Sequence, residues 1–286
     1  MTDRKVSVDE LKRIANRLRI DIVKMIGAAG SGHPGGSLSA VEVLVGLYFG
    51  GVLRHDPKNP QWPDRDRFIL SKGHGCPVLY AAYAQAGYID AALLMTLRKL
   101  GSPLQGHPDK RMLPILEAST GSLGQGVSIG IGMALAARLD KKDFHTFVMI
   151  GDGEAQEGQV WEAAMFAGFH KLANLTVIVD NNRQQLDDFT HKILDLSPLA
   201  EKWLAFGWNP VEIDGNDIRQ VLPALAEARA ATLKPTVIIS NTIKGKGVSF
   251  MENNIKWHGV APKPEEVEAA VRELEAAGKQ LAGASN

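Results

Sequence analysis

Two oxygen-bearing side chains, Asp152 and Asn182, each follow shortly after an apolar segment of the chain. The two segments, 146–150 and 175–179, are continuous and rich in β-branched residues, which is typical of strands buried on both faces of a parallel sheet. A helical pattern over 158–171 joins them, as expected of a crossover connection. Ligands gather beyond the carboxyl ends of parallel strands, so we expect Asp152 and Asn182 to face one site.

The expected site has the chemistry of a divalent metal centre that holds phosphate. Asp152 offers a carboxylate, Asn182 an amide oxygen, and the backbone carbonyl of Gln184 is the simplest third ligand. Such hard oxygens suit Mg²⁺, and also Ca²⁺ or Mn²⁺, with phosphate oxygens and water filling the remaining positions. Gly153 would let the backbone approach the phosphates closely. The alternative is that Asp152 begins an ordinary turn and Asn182 caps the next element.

The motif Gly151-Asp152-Gly153, followed by Asn182, resembles the thiamine diphosphate and metal signature that transketolases share with other thiamine enzymes. Further segments resemble transketolase motifs in that family's order, and they lie at 31–36, 70–75, 105–108, 120–126 and 257–259. The match covers nearly the whole chain, but a full transketolase is much longer. The chain therefore resembles the amino-terminal subunit of a transketolase split into two polypeptides.

The pattern of elements predicts the α/β class, with a mostly parallel sheet flanked by helices. The 286 residues, 45% of them apolar, suffice for one domain over 1–286. The resemblance implies that this domain has the thiamine diphosphate-binding fold. Further strands are predicted at 67–71, 210–214 and 236–240, and further helices at 41–49, 77–86, 218–231 and 264–277.

Composition narrows the class of protein. The chain has 32 basic and 32 acidic residues, so nothing indicates a broad nucleic-acid surface. No stretch is apolar enough to cross a membrane, and 1–24 reads as an amphipathic helix rather than a secretion signal, which favours a cytoplasmic protein. The single cysteine, Cys76, excludes an intrachain disulfide and is predicted to be a packed small residue rather than a nucleophile.

Histidines His33, His74, His107 and His258 each sit in a glycine- or proline-containing turn. They could be ordinary polar loop residues, but a neutral imidazole can also exchange protons near pH 7 and bind sugar hydroxyls. The resemblance implies that His74 and His258 approach the diphosphate. It also implies that His33 and His107 face the donor sugar, with His258 near the reacting hydroxyls, so that His33, His107 and His258 are the expected catalytic histidines.

The segment formed by Gly121, Ser122 and Leu123 resembles the family's turn beside the aminopyrimidine and thiazole rings, although it could simply start a helix. Glu157 and Glu162 match family glutamates near the subunit interface, and Glu157 is expected to contribute to the cofactor site. The alternative is an ordinary exposed pair on a helix.

Two positions depart from the family pattern. Arg183 stands directly after the metal-binding asparagine, where the family usually has glycine, and a positive φ there would cost about 1 kcal/mol. Ser122 stands where many members carry proline, which should loosen its loop.

The resemblance implies transfer of a two-carbon ketol unit from a ketose or ketose phosphate donor to an aldose acceptor, with thiamine diphosphate as cofactor. No segment resembles the later domain, whose glutamate activates the aminopyrimidine. We therefore expect activity only with a carboxy-terminal partner subunit, in an α2β2 assembly within carbohydrate metabolism such as the pentose phosphate reactions. Two alternatives stay open: a 2-oxo acid decarboxylating subunit, and a non-catalytic regulatory homologue, for which Arg183 is the only support.

Overall fold

A computed structural model describes residues 6–283 of the chain. Its centre is a five-stranded sheet in which every neighbouring pair of strands is parallel, in the order β1-β2-β3-β5-β4. The strands are β1 Arg67–Leu70, β2 Thr146–Gly151, β3 Leu175–Asn181, β4 Asn209–Asp214 and β5 Thr236–Asn241.

Helices cover both faces of the sheet. They are α1 Val8–Ala29, α2 Pro34–Ser39, α3 Val41–Phe49, α4 Cys76–Ala86, α5 Gln125–Leu139, α6 Gly158–Phe169, α7 Thr190–Ile193, α8 Leu199–Ala205, α9 Ile218–Arg229 and α10 Pro264–Gly283. Within the described residues, no helix combines the length and the apolar content that a membrane span requires.

Strand β2 shows why the central strands read as unbroken apolar runs. Phe147 and Met149 point into a core shared with α1, α3, α4 and α9, whereas Val148 and Ile150 point into a second core shared with α5, α6 and α8. Alternate side chains of a strand face opposite sides of its sheet, so a strand covered on both sides needs apolar residues at every position. The predicted α/β class, with a mostly parallel sheet flanked by helices, is confirmed.

The predicted elements all occur; the helix at 41–49 has the predicted bounds, and the ends of the others differ by a few residues. Strands β2 and β3 continue to Gly151 and Asn181, so Asp152 and Asn182 follow their strands directly rather than two or three residues later. The helix predicted to reach Lys171 ends at Phe169, because Lys171 takes a left-handed conformation with φ 47°. The first helix begins at Val8 after its N-cap Ser7, and positions 1–5 of that prediction lie outside the described residues.

Candidate active site

The ends of β2 and β3 bring Asp152 and Asn182 to one place, as predicted. Gly151 is paired with Asp180 in the sheet, so the turns that follow the two strands are adjacent. The carboxylate of Asp152 accepts the backbone N–H of Gly153 at 2.8 Å and that of Arg183 at 2.5 Å. These bonds hold the carboxylate at the carboxyl edge of the sheet, where ligands of such folds bind.

A buried ion pair fixes the orientation of Asn182. The fully buried carboxylate of Asp180 accepts hydrogen bonds from the ammonium of Lys72 and from Nδ2 of Asn182, the latter at 3.0 Å. Burial raises the pKa of Asp180, but Lys72 and neighbouring hydroxyls outweigh it, so the pKa lies below its usual value. Nδ2 of Asn182 donates to Asp180, and its Oδ1 accepts the N–H of Gln184 at 3.2 Å, so one lone pair of Oδ1 remains for a cation.

The side chains around Asp152 fit a hard cation. Burial, and next the charge of Asp180, raise the pKa of Asp152 to about 7, which indicates a carboxylate short of positive charge. Both amide atoms of the Gln184 side chain are buried without a hydrogen-bond partner, as expected where a polar ligand completes a site. No cluster of three histidine, cysteine or acidic side chains within residues 6–283 could hold a metal, so a metal here would need amide and carbonyl oxygens besides the carboxylate of Asp152.

Lys244, which the sequence did not single out, lies beside the carbonyl proposed as the third metal ligand. Its ammonium lies 3.3 Å from the carbonyl oxygen of Gln184, the atom assigned to the metal, and 2.7 Å from Nδ1 of His258. Burial, and next the charge of Lys72, lower the pKa of Lys244 to about 8. Two buried lysines at the end of the sheet provide positive charge suited to a diphosphate.

The four predicted histidines form one cluster. The ring centroid of His33 lies 5.2 Å from that of His74, 5.7 Å from that of His258 and 6.4 Å from that of His107. Burial is the main cause that lowers the pKa of all four, to about 4 for His33 and about 3 for His258. The cluster is therefore neutral at pH 7.

Two cations set the tautomers of two of these rings. The guanidinium of Arg98 lies 3.4 Å from Nδ1 of His33, as Lys244 lies beside Nδ1 of His258. A guanidinium or ammonium group can only donate, so each Nδ1 accepts and each Nε2 carries the proton. His33 and His258 thus present N–H donors, which suits hydrogen bonding to sugar oxygens.

Glycines allow the remaining loops to approach the cluster. A Cβ at Gly73 would lie 2.9 Å from the backbone nitrogen of Gly121, and one at Gly121 would lie 3.2 Å from Cδ2 of His107. The loop with Gly121, Ser122 and Leu123 therefore lies beside His107. There is likewise no room for a Cβ at Gly153, because it would lie 2.6 Å from the Cβ of Gln185.

The two predicted glutamates are exposed, and a Cβ at Gly124 would lie 3.1 Å from that of Glu157. Glu157 is the exposed residue before α6, and Glu162 is exposed on that helix. Cys76 is buried, with its thiol 3.3 Å from the carbonyl oxygen of Gly106, and burial raises its pKa to about 12. That environment is the packed one predicted for Cys76.

The fold resembles that of solved transketolases. Residues 10–280 match the family model described as transketolase, thiamine diphosphate binding domain. The solved transketolase of Campylobacter jejuni superposes with a TM-score of 0.87 at 31% identity, covering 97% of this chain and 46% of that one. This chain thus spans about half the length of that enzyme.

Two shorter relatives match over nearly their whole length. A 6-deoxy-6-sulfo-D-fructose transketolase subunit of Clostridium sp. (strain MSTE9) is 47% identical over 94% of this chain and 98% of its own. An apulose-4-phosphate transketolase subunit of Phocaeicola vulgatus is 42% identical over 93% of each chain.

The chain belongs to the transketolase family, as its thiamine diphosphate-binding domain. The predicted family, fold and enzyme class are confirmed, and the length matches that of subunits of split transketolases.

Proposed function

We propose that this chain is the amino-terminal subunit of a split transketolase, which transfers a two-carbon ketol unit from a ketose donor to an aldose acceptor. One observation carries the proposal. Asp152 and Asn182 lie at the same edge of the sheet as a cluster of four neutral imidazoles. A 2-oxo acid lacks the several hydroxyl groups of a ketose, so it would leave most of these imidazoles without a hydrogen-bond partner.

Thiamine diphosphate and Mg²⁺, or Ca²⁺ or Mn²⁺, are the cofactors that these residues fit. Asp152, Asn182 and the carbonyl of Gln184 would hold the metal, with Gly153 and His74 beside the diphosphate. Gly121, Ser122 and Leu123 would line the ring end of the cofactor, with Glu157 reaching it at a subunit boundary. When bound, thiamine diphosphate supplies the electron sink for the ketol carbanion.

The histidines supply hydrogen bonds and proton transfer to the sugar. His33 and His258 each present an Nε2–H, which can bind a ketose hydroxyl or carbonyl oxygen. His107, exposed beside Gly121, is the third group proposed to face the donor. Burial keeps these rings neutral, so His33 and His258 can donate hydrogen bonds through Nε2–H, and His107 can accept a proton without first losing one.

A second chain is proposed to complete the site with the glutamate that activates the aminopyrimidine. Large apolar side chains are exposed on two parts of the surface, which supports burial against other chains. Met165, Phe166 and Phe169 are exposed on α6, and Leu186, Ile193 and Leu194 are exposed after β3. Two such surfaces suit an α2β2 assembly, in which each chain contacts both a second copy and a partner.

The substrates are proposed to be ketoses with an anionic group. The two relatives of similar length are named for a sulfonated sugar and for a sugar phosphate. The reaction itself leaves that group untouched, so the partner subunit can recognise it while this chain binds the reacting carbons.

Purification of the tagged chain from its native cells, followed by intact-mass measurement, tests the proposal. We expect a second chain in equal amount, and the pair should convert a ketose phosphate with thiamine diphosphate and Mg²⁺. A chain that purifies alone and still converts ketoses would contradict the need for a partner. A pair that converts pyruvate and no ketose would contradict the proposed reaction.

A further inference from the structure

The peptide group between Leu123 and Gly124 ties the end of the loop formed by Gly121, Ser122 and Leu123 to the segment after β2. The carbonyl oxygen of Leu123 accepts a hydrogen bond from Nε2 of Gln159 at 2.6 Å. The N–H of Gly124, on the other side of the same peptide bond, donates to Oε1 of Glu154 at 2.8 Å. One peptide is therefore held at both polar atoms by two side chains from the segment after β2.

Glu154 also reaches both neighbouring strands. Its carboxylate accepts the hydroxyl hydrogen of Ser71, directly after β1, and the N–H of Gly151 at 3.1 Å, at the end of β2. The side chain is 3% exposed, so these bonds are shielded from water. Ser71 in turn accepts the N–H of Gly126 at 3.1 Å, in the first turn of α5.

The backbone at Gly124 is adapted to this arrangement. Its φ of 84° is left-handed, and a Cβ there would lie 2.7 Å from Cγ of Gln159. The close approach of Gln159 thus depends on glycine at this position.

We propose that Glu154 and Gln159 are positioning residues that hold the Leu123–Gly124 peptide from both sides and thereby fix the loop 121–123 for the cofactor. The inference rests on the proposed function, because it takes that loop as the one that contacts thiamine diphosphate. Proline at position 122 would restrict such a loop locally, and in this chain, which has Ser122, the two side chains supply the restriction instead.

Glu154→Met tests the proposal, because methionine has nearly the same length but no strong acceptor for the N–H of Gly124. Hydrogen exchange at residues 121–126 of the chain alone should accelerate about tenfold or more, and thiamine diphosphate affinity in the presence of Mg²⁺ should fall by a similar factor. Glu154→Gln keeps one oxygen for Ser71 and Gly124 but turns its NH2 toward the N–H of Gly151, so its effect on both measures should be smaller than that of Glu154→Met, about threefold.

Gln159→Leu provides a second test, since Gln159 is only half-buried and its loss should not prevent folding. Exchange and affinity should change in the same direction as in Glu154→Met but by less, about threefold. Glu227→Met, which alters an exposed glutamate on α9, is the matched control and should change neither.

The inference would be overturned if hydrogen exchange at residues 121–126 were as slow in both Glu154→Met and Gln159→Leu as in the wild type. Unchanged affinity for thiamine diphosphate in both variants would overturn it as well. If Glu154→Met does not fold, the result with Gln159→Leu decides. A wild-type complex that does not bind thiamine diphosphate would contradict the proposed function, whereas exchange in the cofactor-free chain would still show whether the two side chains hold the loop.

Discussion

The backbone N–H of Arg183 donates to Oδ2 of Asp152 at 2.5 Å, so the turn after β3 is tied to the carboxylate after β2. Arg183 makes this bond from a left-handed conformation, with φ 63°. The geometry of the proposed metal site therefore depends on a backbone conformation that a glycine would adopt more readily.

Arg183→Gly should stabilise the chain by up to about 1 kcal/mol, because glycine removes the Cβ strain of the left-handed conformation. The arginine side chain is exposed, so little packing is lost with it. The free energy of unfolding, measured in urea, checks the prediction. Arg183→Ala is the control and should give no gain, since alanine keeps the Cβ; an equal gain from both variants would rule out backbone strain as the cause.

Asp152→Asn should weaken Mg²⁺-dependent binding of thiamine diphosphate at least about 100-fold, since it removes the only carboxylate proposed to bind the metal. In the metal-free variant the asparagine has one oxygen for the two backbone N–H groups of Gly153 and Arg183, which lowers stability, but it also replaces a carboxylate whose charge is disfavoured by burial, so the free energy of unfolding should change by less than about 2 kcal/mol. Calorimetric titration of the complex measures the affinity. Asp187→Asn alters an exposed aspartate nearby and should leave it unchanged. Wild-type affinity in Asp152→Asn would remove Asp152 from the metal site.

His107→Ala should lower kcat/KM for the ketose donor by about 10²–10⁴, the range typical of a lost acid–base group. Affinity for thiamine diphosphate should change by less than about threefold, since we place His107 at the sugar rather than at the diphosphate. His191→Ala, at an exposed histidine, is the control. Equal losses of donor turnover and of cofactor affinity would show that His107 belongs to the cofactor site.

His145 should make folding stability depend on pH. Burial, and next Arg229, lower its pKa to about 3 from the ordinary 6.5, so the folded chain favours the neutral ring. The contribution of the neutral ring to the free energy of unfolding is fully present above pH 6.5. It is lost as the pH falls from 6.5 toward 3, and about 1.4 kcal/mol of it is lost by pH 5.5. Urea unfolding of the wild type and of His145→Gln should show a difference in free energy that shrinks by this amount between pH 7.5 and 5.5. A constant difference would contradict the prediction.

The central sheet and part of the site were predictable because their signals are local. Strands β2 and β3 are mostly apolar, and Asp152 and Asn182 follow directly after their ends. Loop histidines such as His33 and His258 stand out among glycines and prolines. Their neutrality could not be predicted, because it results from burial by segments distant in the sequence.

The residues that sequence reasoning missed act through long-range contacts. Lys72 binds Asp180 across the ends of β1 and β3, and Lys244 meets His258 from the loop after β5. A lysine in a loop is usually solvated, so neither carried a signal of its own. Asp180 did carry one, as a carboxylate within an otherwise apolar strand, whose burial requires a partner.

Ketol transfer by this chain alone and by its purified complex tests the central claim most directly. With thiamine diphosphate, Mg²⁺, a ketose phosphate and an aldose acceptor, the complex should transfer the two-carbon unit, and removal of the metal by chelation should abolish transfer until Mg²⁺ is restored. The chain alone should bind no donor productively and show no transfer. Transfer by the chain alone, or transfer by the complex that persists after chelation, would contradict the account.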